Sequence, residues 1–269
     1  MNAREMFAAA CGASVMLVSA ALPAQSIARR VAQVKDGSVR MSFASRSDVC
    51  GNGAGNIGTR NGRTVNSNGS GGYSTARHNE WEDDCEAGPV RVAIDVADGK
   101  PIALRAYVGG RWRPGTDVTD LGTVPVKDAV DFLLDNLARS DGKVAGEAIF
   151  PATIADSVVV WPRLLTLAKD DSRSRDVRKQ AVFWVSQAAG EKATAGLVDV
   201  VGDAAADQDV RLQAVFAISQ RPKDEGIPAL LEIAKNSKDP RIRKQSIFWL
   251  GQSGDPRAVA YFEAVLVKK

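Results

Sequence analysis

The sequence predicts an α+β protein in which a small N-terminal antiparallel β-domain precedes an α-solenoid of about four helical hairpins. Three observations predict this fold class. Apolar residues alternate with polar ones over much of residues 38–122, which is typical of half-buried strands. From about residue 123 the apolar period changes to between three and four, which is typical of helices. A block of similar sequence then recurs every 32 or 33 residues, as in stacked arrays of one repeated unit.

The bulk composition does not favour a nucleic-acid partner or an anionic membrane. The chain has 269 residues, enough for two domains, with 35 basic and 32 acidic side chains and a net charge of +3. A nucleic-acid-binding protein usually carries a strong basic excess on one face. We therefore expect no nucleic acid as a partner.

The first 24 residues are typical of a secretory signal peptide. Arg4 is followed by an apolar run over residues 6–22 and then by small residues. Cleavage is expected after Ala24 or Ser26, so the mature protein is predicted to be exported, periplasmic or secreted, with membrane contact only during export. The alternative is an uncleaved anchor, although the run is near the lower length limit for a spanning helix.

Cleavage leaves two cysteines, Cys50 and Cys85. An even number in an exported protein predicts one disulfide. The bridge would close a loop of 35 residues, which corresponds to roughly 3 to 4 kcal/mol in the chain-entropy model.

A polar linker is predicted over residues 25–37 and the disulfide-containing β-domain over residues 38–122. Three stretches alternate in the manner of strands, and Asp98–Gly99 supplies a tight turn between the last two. The apolar positions are Val39, Met41 and Phe43, then Val90, Val92, Ile94 and Val96, then Ile102, Leu104, Ala106 and Val108.

Residues 51–72 are crowded with Gly, Asn and Ser, and a long, partly disordered loop is the simplest interpretation. The Gly51-x-Gly53 motif superficially suggests a phosphate-binding loop. That motif has meaning only between a strand and a helix whose N-terminus holds the phosphate, and no helical pattern follows it.

The solenoid over residues 123–269 is predicted from the repeat. Residues 177–187, 210–220 and 242–252 are similar blocks, and a degraded fourth copy starts at Val144, where Pro151 must kink or end the helix. Each block is preceded by another apolar helix, so the unit is an antiparallel helix pair. Acidic turns at Asp170–Asp171, Asp203 and Asp239 are suited to capping the second helices.

The openings Asp176-Val177-Arg178, Asp209-Val210-Arg211 and Arg241-Ile242-Arg243 resemble those of the HEAT-repeat family, in particular the short variety first described in phycobilisome lyases. The third opening lacks the aspartate. The resemblance covers about half of the chain and implies a right-handed superhelix that binds proteins or peptides along a concave face lined by the second helices. In these openings we expect Arg178, Arg211 and Arg243 to pair with acidic turns of neighbouring repeats.

On a helical wheel, Val177, Ala181, Trp184, Val185 and Ala188 share the core face of one second helix. The adjoining flank predicts a ladder of amides and rings that binds a protein or peptide partner, because amides pair with peptide backbone and rings bury apolar contacts. The alternative is that the rings pack between repeats and the amides cap turns. The predicted partner-binding residues are Lys179, Gln180, Phe183, Gln187, Gln213, Phe216, Gln220, Lys244, Gln245, Phe248 and Gln252, with Leu212 on the same flank.

No catalytic or metal constellation is found, and no cofactor is predicted. The only histidine, His78, lies outside the repeats, which excludes a histidine-rich metal site. The acidic cluster over residues 80–86 matches no calcium loop, and a solvated turn is the simpler interpretation. The predicted function is a protein–protein interaction scaffold. The alternatives are a lyase or other enzyme using the groove, or an envelope protein whose β-domain binds cell-wall material.

Overall fold

A computed structural model describes residues 26–53, 56–59, 64–66, 85–187 and 191–267, so the predicted signal peptide lies outside the described residues. A β-region is followed by a helical array, which confirms the predicted α+β class. Within these ranges no helix has the length and apolar character needed to cross a membrane. The strands are β1 Gly37–Phe43, β2 Val49–Gly51, β3 Asn56–Thr59, β4 Thr64–Asn66, β5 Val90–Ala97, β6 Lys100–Val108 and β7 Val118–Thr123.

The main sheet has four strands in the order β6-β5-β1-β7. Its β5–β6 and β1–β5 pairs are antiparallel as predicted, whereas β7 pairs with β1 in parallel, which the prediction did not anticipate. Val39, Met41 and Phe43 are fully buried, as strand alternation requires, and the apolar positions of β5 lie on the same face.

The Asp98–Gly99 turn is confirmed. Both residues have positive φ, 50° and 71°, which suits a two-residue hairpin turn. The prediction for Ile102 is wrong, because this side chain is 54% exposed. The pairing register shifts between Asp95 and Val96, opposite Pro101–Ala103, so the alternation of β6 is interrupted at this point.

The glycine-rich segment contains structure that the sequence analysis assigned to a loop. β3 and β4 join β2 in a three-stranded antiparallel sheet. Ile57 is the buried anchor of β3. β3 and β4 contain one large apolar residue each, Ile57 and Val65, so no apolar alternation marks them in the sequence. Residues 54–55, 60–63 and 67–84 lie outside the described residues.

Cys50 and Cys85 form the predicted disulfide, with Cα atoms 5.1 Å apart. Next to it, Gly51 and Glu86 exchange two backbone hydrogen bonds of 3.0 Å, and the Gly53 N–H donates to the Val108 carbonyl at 2.9 Å. The disulfide therefore ties β2 to the segment before β5, and the Gly53–Val108 hydrogen bond connects the loop after β2 to the end of β6.

The predicted linker contains a helix, α1 (Ile27–Ala32), capped by the Ser26 side chain. Ile27 and Val31 are buried, and α1 contacts the turn at residues 132–136. Two apolar residues four apart share one helix face, and this short helix covers part of the core. The linker prediction failed because a six-residue helix is too short to show a period.

The helical array consists of helix pairs, each with a first and a second helix. The first pair is irregular: α2 (Val126–Asp131) continues as a π-turn and a 3₁₀ turn to Arg139, opposite α3 (Lys143–Glu147) and α4 (Ile149–Thr153). The regular pairs are α5 Trp161–Lys169 with α6 Arg175–Ser186, α7 Glu191–Gly202 with α8 Gln208–Ser219, and α9 Lys223–Asn236 with α10 Pro240–Gln252, and α11 Pro256–Val267 follows them.

The degraded fourth copy at Val144 is confirmed as the second helix of the first pair, since α3 and α4 both contact α6. Its helix is interrupted at Ala148, just after Glu147. Proline clashes with the carbonyl four residues earlier and lacks an N–H. Pro151 therefore breaks the helix where Glu147 lies, as the sequence predicted.

The second helices are capped by residues that the sequence analysis identified only in part. Asp239 caps α10 as predicted, but Ser174 caps α6 and Asp207 caps α8. Asp170 and Asp203 lie four residues too early, and each accepts a backbone hydrogen bond within its own turn instead.

Arginine–aspartate pairs connect neighbouring helix pairs. Arg175 reaches Asp207 at 3.1 Å and Asp209 at 2.9 Å, and Arg211 reaches Asp239 at 3.0 Å. The prediction for Arg211 is thus confirmed. The predictions for Arg178 and Arg243 are wrong, because each binds the turn of its own pair. Arg178 binds Asp171 at 2.8 Å and Arg243 donates to the Ser237 carbonyl at 2.6 Å, so the ladder is only partly regular.

A buried guanidinium also joins three helices. Arg221 is 6% exposed and donates to the Thr194 hydroxyl at 2.8 Å, the Ser186 carbonyl at 3.0 Å and Glu225 at 2.9 Å. The Thr194 hydroxyl also donates to Glu225, and these two partners lower the pKa of the Glu225 carboxyl. The charge is therefore buried together with its partners.

The β-region and the first helix pair share one continuous hydrophobic core. The Leu104 N–H donates to the Glu147 carboxylate at 2.8 Å. The Arg46 guanidinium donates to the Thr153 carbonyl at 3.1 Å, and the Arg46 N–H donates to the Ile154 carbonyl at 3.0 Å. The sheet therefore covers the N-terminal end of the array.

Replacing both disulfide cysteines by serine is expected to lower the free energy of unfolding by roughly 3 to 4 kcal/mol, because a loop of 35 residues is no longer closed in the unfolded chain. Urea denaturation of the mature protein checks this, with the reduced wild type as the matched control. Equal stability of the oxidised wild type and the double variant would contradict it.

Arg221→Met is expected to lower the free energy of unfolding by about 3 kcal/mol, because Glu225 and the Ser186 carbonyl lose their buried donor. The control is Arg175→Met, which removes the ion pairs of Arg175 with Asp207 and Asp209. The Arg175 side chain is 55% exposed, so the expected loss is below about 1 kcal/mol. Losses of similar size in both variants would show that Arg221 has no special role.

Candidate binding surface on the second helices

The second helices α6, α8 and α10 lie side by side and contact one another more extensively than the neighbouring first helices do. An array whose second helices approach each other more closely curves toward them. The second helices therefore line the inner side of the array.

All eleven residues predicted to bind a partner are accessible on these helices. We call them together the second-helix surface. Five of them are half-buried, namely Lys179, Phe183, Gln213, Phe216 and Gln245. The other six are exposed, namely Gln180, Gln187, Gln220, Lys244, Phe248 and Gln252. The structure brings them together on three adjacent helices, as the repeat period predicts.

The core prediction for α6 is correct for Val177, Ala181 and Val185, which are buried. Trp184 is half-buried and lies at the edge of the core. Val182 was missed: it is fully buried, as is Val215 at the same position of α8. These two valines lie outside the core face of a single pair and pack between pairs, which a wheel for one helix does not show. Ala188 lies outside the described residues.

Two aromatic clusters each include rings of the second-helix surface. In the first, the Trp184 ring lies 5.1 Å from Phe150 of the preceding pair and 5.1 Å from Phe183. In the second, Trp249 lies 5.1 Å from Phe216 of the preceding pair and 5.0 Å from Phe248.

The tryptophan of each cluster bridges two helix pairs. Phe150 and Phe216 therefore also pack between repeats, which was the alternative interpretation of the repeated phenylalanines. Ala217 occupies the tryptophan position of α8 and is fully buried, so the two clusters are separate.

The glutamines at the ends of α6 and α8 have the same fixed contact. The Gln187 amide donates to the Ser186 hydroxyl at 2.9 Å, and this hydroxyl donates to the Phe183 carbonyl at 2.5 Å. Gln220 and Ser219 repeat the arrangement at 3.1 and 2.7 Å. One amide N–H is used in this way, and the exposed amide still offers its oxygen as an acceptor.

A cavity of about 460 Å³ adjoins the first aromatic cluster, at the junction of the β-region and the first two helix pairs. Its wall combines apolar rings with a guanidinium and an amide. Six of its lining residues are Arg46, Ile57, Phe150, Trp161, Trp184 and Gln187. The sequence analysis missed this cavity because its wall comes from three distant segments, and no local pattern links them.

The outer face of the main sheet carries cations that have structural roles. The Arg40 guanidinium lies 4.8 Å from the centre of the Trp112 ring and donates to the Arg113 carbonyl at 2.7 Å. Arg91 donates to the carbonyls of Gly109 and Gly110 at 3.1 and 2.8 Å. These side chains hold the loop after β6, which accounts for the cluster without a ligand.

The carboxyl groups whose pKa clearly departs from the usual value in the described ranges are all shifted downward. Side-chain and backbone hydrogen bonds from Arg257 bring the pKa of Asp255 to about 2, and the side-chain hydrogen bond from Arg105 lowers the pKa of Asp95. The same direction holds for Asp131, Asp170, Asp207, Glu225 and Asp239. These groups are stabilised carboxylates and are not tuned as general acids near neutral pH.

The described residues contain no group of three or more potential metal ligands. Of the acidic cluster, Glu86 is described, and its carboxylate accepts from the Gly110 N–H at 3.3 Å. His78 and the other members of that cluster, Glu80, Glu82, Asp83 and Asp84, lie outside the described residues, as does Trp81.

Residues 194–269 match the family model of HEAT repeats. The sequence of this part of the chain is thus similar to HEAT repeats. The match spans α7 to α11, and the α5–α6 pair ahead of it continues the same array. No curated protein matches the chain. HEAT repeats commonly serve as helical scaffolds in protein interactions, and they are typically not enzymes.

Trp249→Ala is expected to lower the free energy of unfolding by about 2 to 3 kcal/mol, because the ring joins α8 to α10 and its removal leaves a cavity. Phe248→Ala, at a ring that is 51% exposed, should cost less than about 1 kcal/mol. Thermal and urea denaturation of both variants checks this. A larger loss for Phe248→Ala would assign the bridging role to the wrong ring.

Proposed function

We propose that this protein is an exported scaffold that binds a protein or peptide partner through the second-helix surface. The family suggests a helical scaffold for protein interactions. The observation that carries the finer proposal is the row of accessible amides and rings across α6, α8 and α10, whose positions are fixed by contacts within the array.

An extended partner segment fits the chemistry of this surface. The amides of Gln187 and Gln220 can pair with peptide groups, and the exposed part of the Phe248 ring can bury apolar side chains. Aromatic anchors usually contribute most of the binding energy at an interface, about 2 kcal/mol or more each. The cavity beside Trp184 could receive a large apolar side chain at one end of the segment.

Export is proposed from the signal-peptide pattern of residues 1–24. The Cys50–Cys85 disulfide supports it, because disulfides persist in oxidising compartments and are rare in the cytosol.

The enzyme and cell-wall alternatives have less support. The down-shifted carboxyl groups bind arginines, lysines, hydroxyls or helix N-termini, and HEAT repeats are typically not enzymes. The cations on the outer sheet face hold a loop. The proposal therefore places the main interaction on the helices.

Photo-crosslinking in cells tests the proposed function. A benzophenone amino acid is placed at Gln187 or Gln220, both exposed on the second-helix surface, and the adducts are identified by mass spectrometry. We expect a discrete adduct from both positions. Because the partner would contact Phe248, adding Phe248→Ala should reduce the yield several-fold while the folded structure is kept.

The matched controls carry the same amino acid at Thr166 or Glu232, which are exposed on the first helices α5 and α9. The adducts formed at Thr166 and Glu232 should differ from those formed at Gln187 and Gln220. The proposal fails if both helix faces give the same adducts, or if folded protein gives none from Gln187 and Gln220.

A further inference from the structure

The cavity beside Trp184 has the size and the lining of a ligand site. Its volume of about 460 Å³ lies within the range of roughly 300 to 1,000 Å³ that is typical of small-ligand sites. Ile57, Phe150 and Leu164 form a buried part of its wall. Val159 also lines the cavity and is 70% exposed, so it lies where the cavity meets solvent. Most of the lining residues are apolar, and the cavity therefore favours an apolar group.

The charged residues in the wall of this cavity neutralise each other. Among the described residues that line it, only Arg46 and Asp48 are charged. The Arg46 Nε and Nη2 groups donate to the two carboxylate oxygens of Asp48 at 3.1 and 3.3 Å, and Nη1 donates to the Thr153 carbonyl at 3.1 Å. A charged ligand would lose its hydration here without gaining an unpaired opposite charge. The wall therefore favours an uncharged ligand.

Gln187 supplies a hydrogen-bond acceptor to the cavity. Its side-chain N–H donates to the Ser186 hydroxyl at 2.9 Å, which leaves the amide oxygen available. A purely apolar group that covered this oxygen would leave it without a partner, which is unfavourable. A ligand that donates one hydrogen bond to the oxygen avoids this cost.

Two indole rings line the cavity and favour an aromatic ligand. The Trp184 ring lies 5.1 Å from Phe150, and aromatic rings attract one another at centroid distances of roughly 4.5 to 7 Å. Trp161 is half-buried, and no other ring pairs with it in the part of the chain that the structure describes. A planar ring bound in the cavity would contact these indoles and extend the aromatic cluster.

We propose that the cavity binds one tyrosine or tryptophan side chain of the partner, whose O–H or N–H donates to the Gln187 amide oxygen. This inference rests on the proposed function and deepens it. Gln187 belongs both to the second-helix surface and to the cavity wall, so a segment that lies on this surface reaches the cavity at α6. Phenylalanine and leucine lack the donor, and glutamate and lysine bring a charge that the wall does not compensate.

Fluorine NMR of the mature protein, labelled with fluorotryptophan, tests the cavity before the partner is known. The probes are the N-acetyl amides of tyrosine, tryptophan, phenylalanine and glutamate. The resonances of Trp161 and Trp184 report on the cavity, whereas Trp112 and Trp249 do not line it and serve as internal references.

We expect the tyrosine and tryptophan amides to shift the Trp161 and Trp184 resonances saturably, with dissociation constants on the order of a millimolar. The phenylalanine amide should bind about fivefold more weakly, because it lacks the donor for Gln187. The glutamate amide should cause no saturable shift. The resonances of Trp112 and Trp249 should stay unchanged with every probe.

Gln187→Leu separates the hydrogen bond from the shape of the cavity. This variant should bring the affinities for the tyrosine and phenylalanine amides to within about twofold of each other. The matched control is Gln220→Leu, because Gln220 makes the same contact with its neighbouring serine but does not line the cavity. The control should keep the preference for tyrosine.

Val159→Asp tests whether the group in the cavity comes from the partner. The new carboxylate would lie where the cavity meets solvent, and Arg46 is already paired with Asp48. The variant should weaken binding of the tyrosine amide several-fold. It should also reduce several-fold the partner adduct that benzophenone forms at Gln220. Ile102→Asp is the matched control, since Ile102 is exposed outside the cavity, and it should change neither result.

Three results would overturn the inference. The first is that no aromatic amide shifts the Trp161 and Trp184 resonances saturably. The second is a preference for tyrosine over phenylalanine that is absent from the wild type or unchanged in Gln187→Leu. The third is an undiminished Gln220 adduct in Val159→Asp, because the partner would then leave the cavity empty. An adduct at Gln220 without probe binding leaves the proposed function standing, whereas probe binding without any adduct contradicts that function.

Discussion

The packing between successive helix pairs is the interaction on which the rest of this structure depends. Val182 and Val215 are fully buried only because the next pair covers them, and Ala181, Ala214 and Ser246 allow the helices to approach closely. A single pair of helices of nine to fourteen residues would expose these faces to water. The stability of each pair is therefore tied to its neighbours, and the polar links at Arg175, Arg211 and Arg221 follow the same boundaries.

The same packing explains the surface that a partner would meet. Trp184 and Trp249 bridge pairs and thereby hold Phe183 and Phe248 in place at the surface. Each tryptophan thus joins two helix pairs and also fixes the position of a phenylalanine ring at the surface. Where alanine replaces tryptophan at Ala217, the helices still pack, and the rings on either side form two clusters and no continuous row. For the binding that we propose, ring positions that are fixed in advance lower the entropy lost when a partner binds.

The two ends of the array differ in a way that follows from the repeat. At the N-terminal end the main sheet covers the first pair, and Leu104, Glu147 and Arg46 join the two parts by hydrogen bonds. The second helix of the first pair is broken by Pro151, and on this side the pair packs against the sheet and not against another helix pair. At the other end α10 and α11 present apolar positions that inner pairs bury.

The sequence by itself determined the features that are written in local periodicity and in repetition. These include the alternation of β1 and β5, the Asp98–Gly99 turn, the 33-residue step that locates Val144, and the pairing of the two cysteines. It also predicted the accessible flank of the second helices, because a helix period separates the core face from its neighbours.

Only the tertiary structure decided which distant segments meet. It placed β7 parallel to β1, formed the small sheet from a glycine-rich segment, and put α1 on the core. It also buried Val182 between pairs and formed the cavity beside Trp184. A local pattern reports whether a residue faces apolar or polar surroundings. It does not report which segment supplies those surroundings, because that choice depends on packing between parts of the chain that are far apart in sequence.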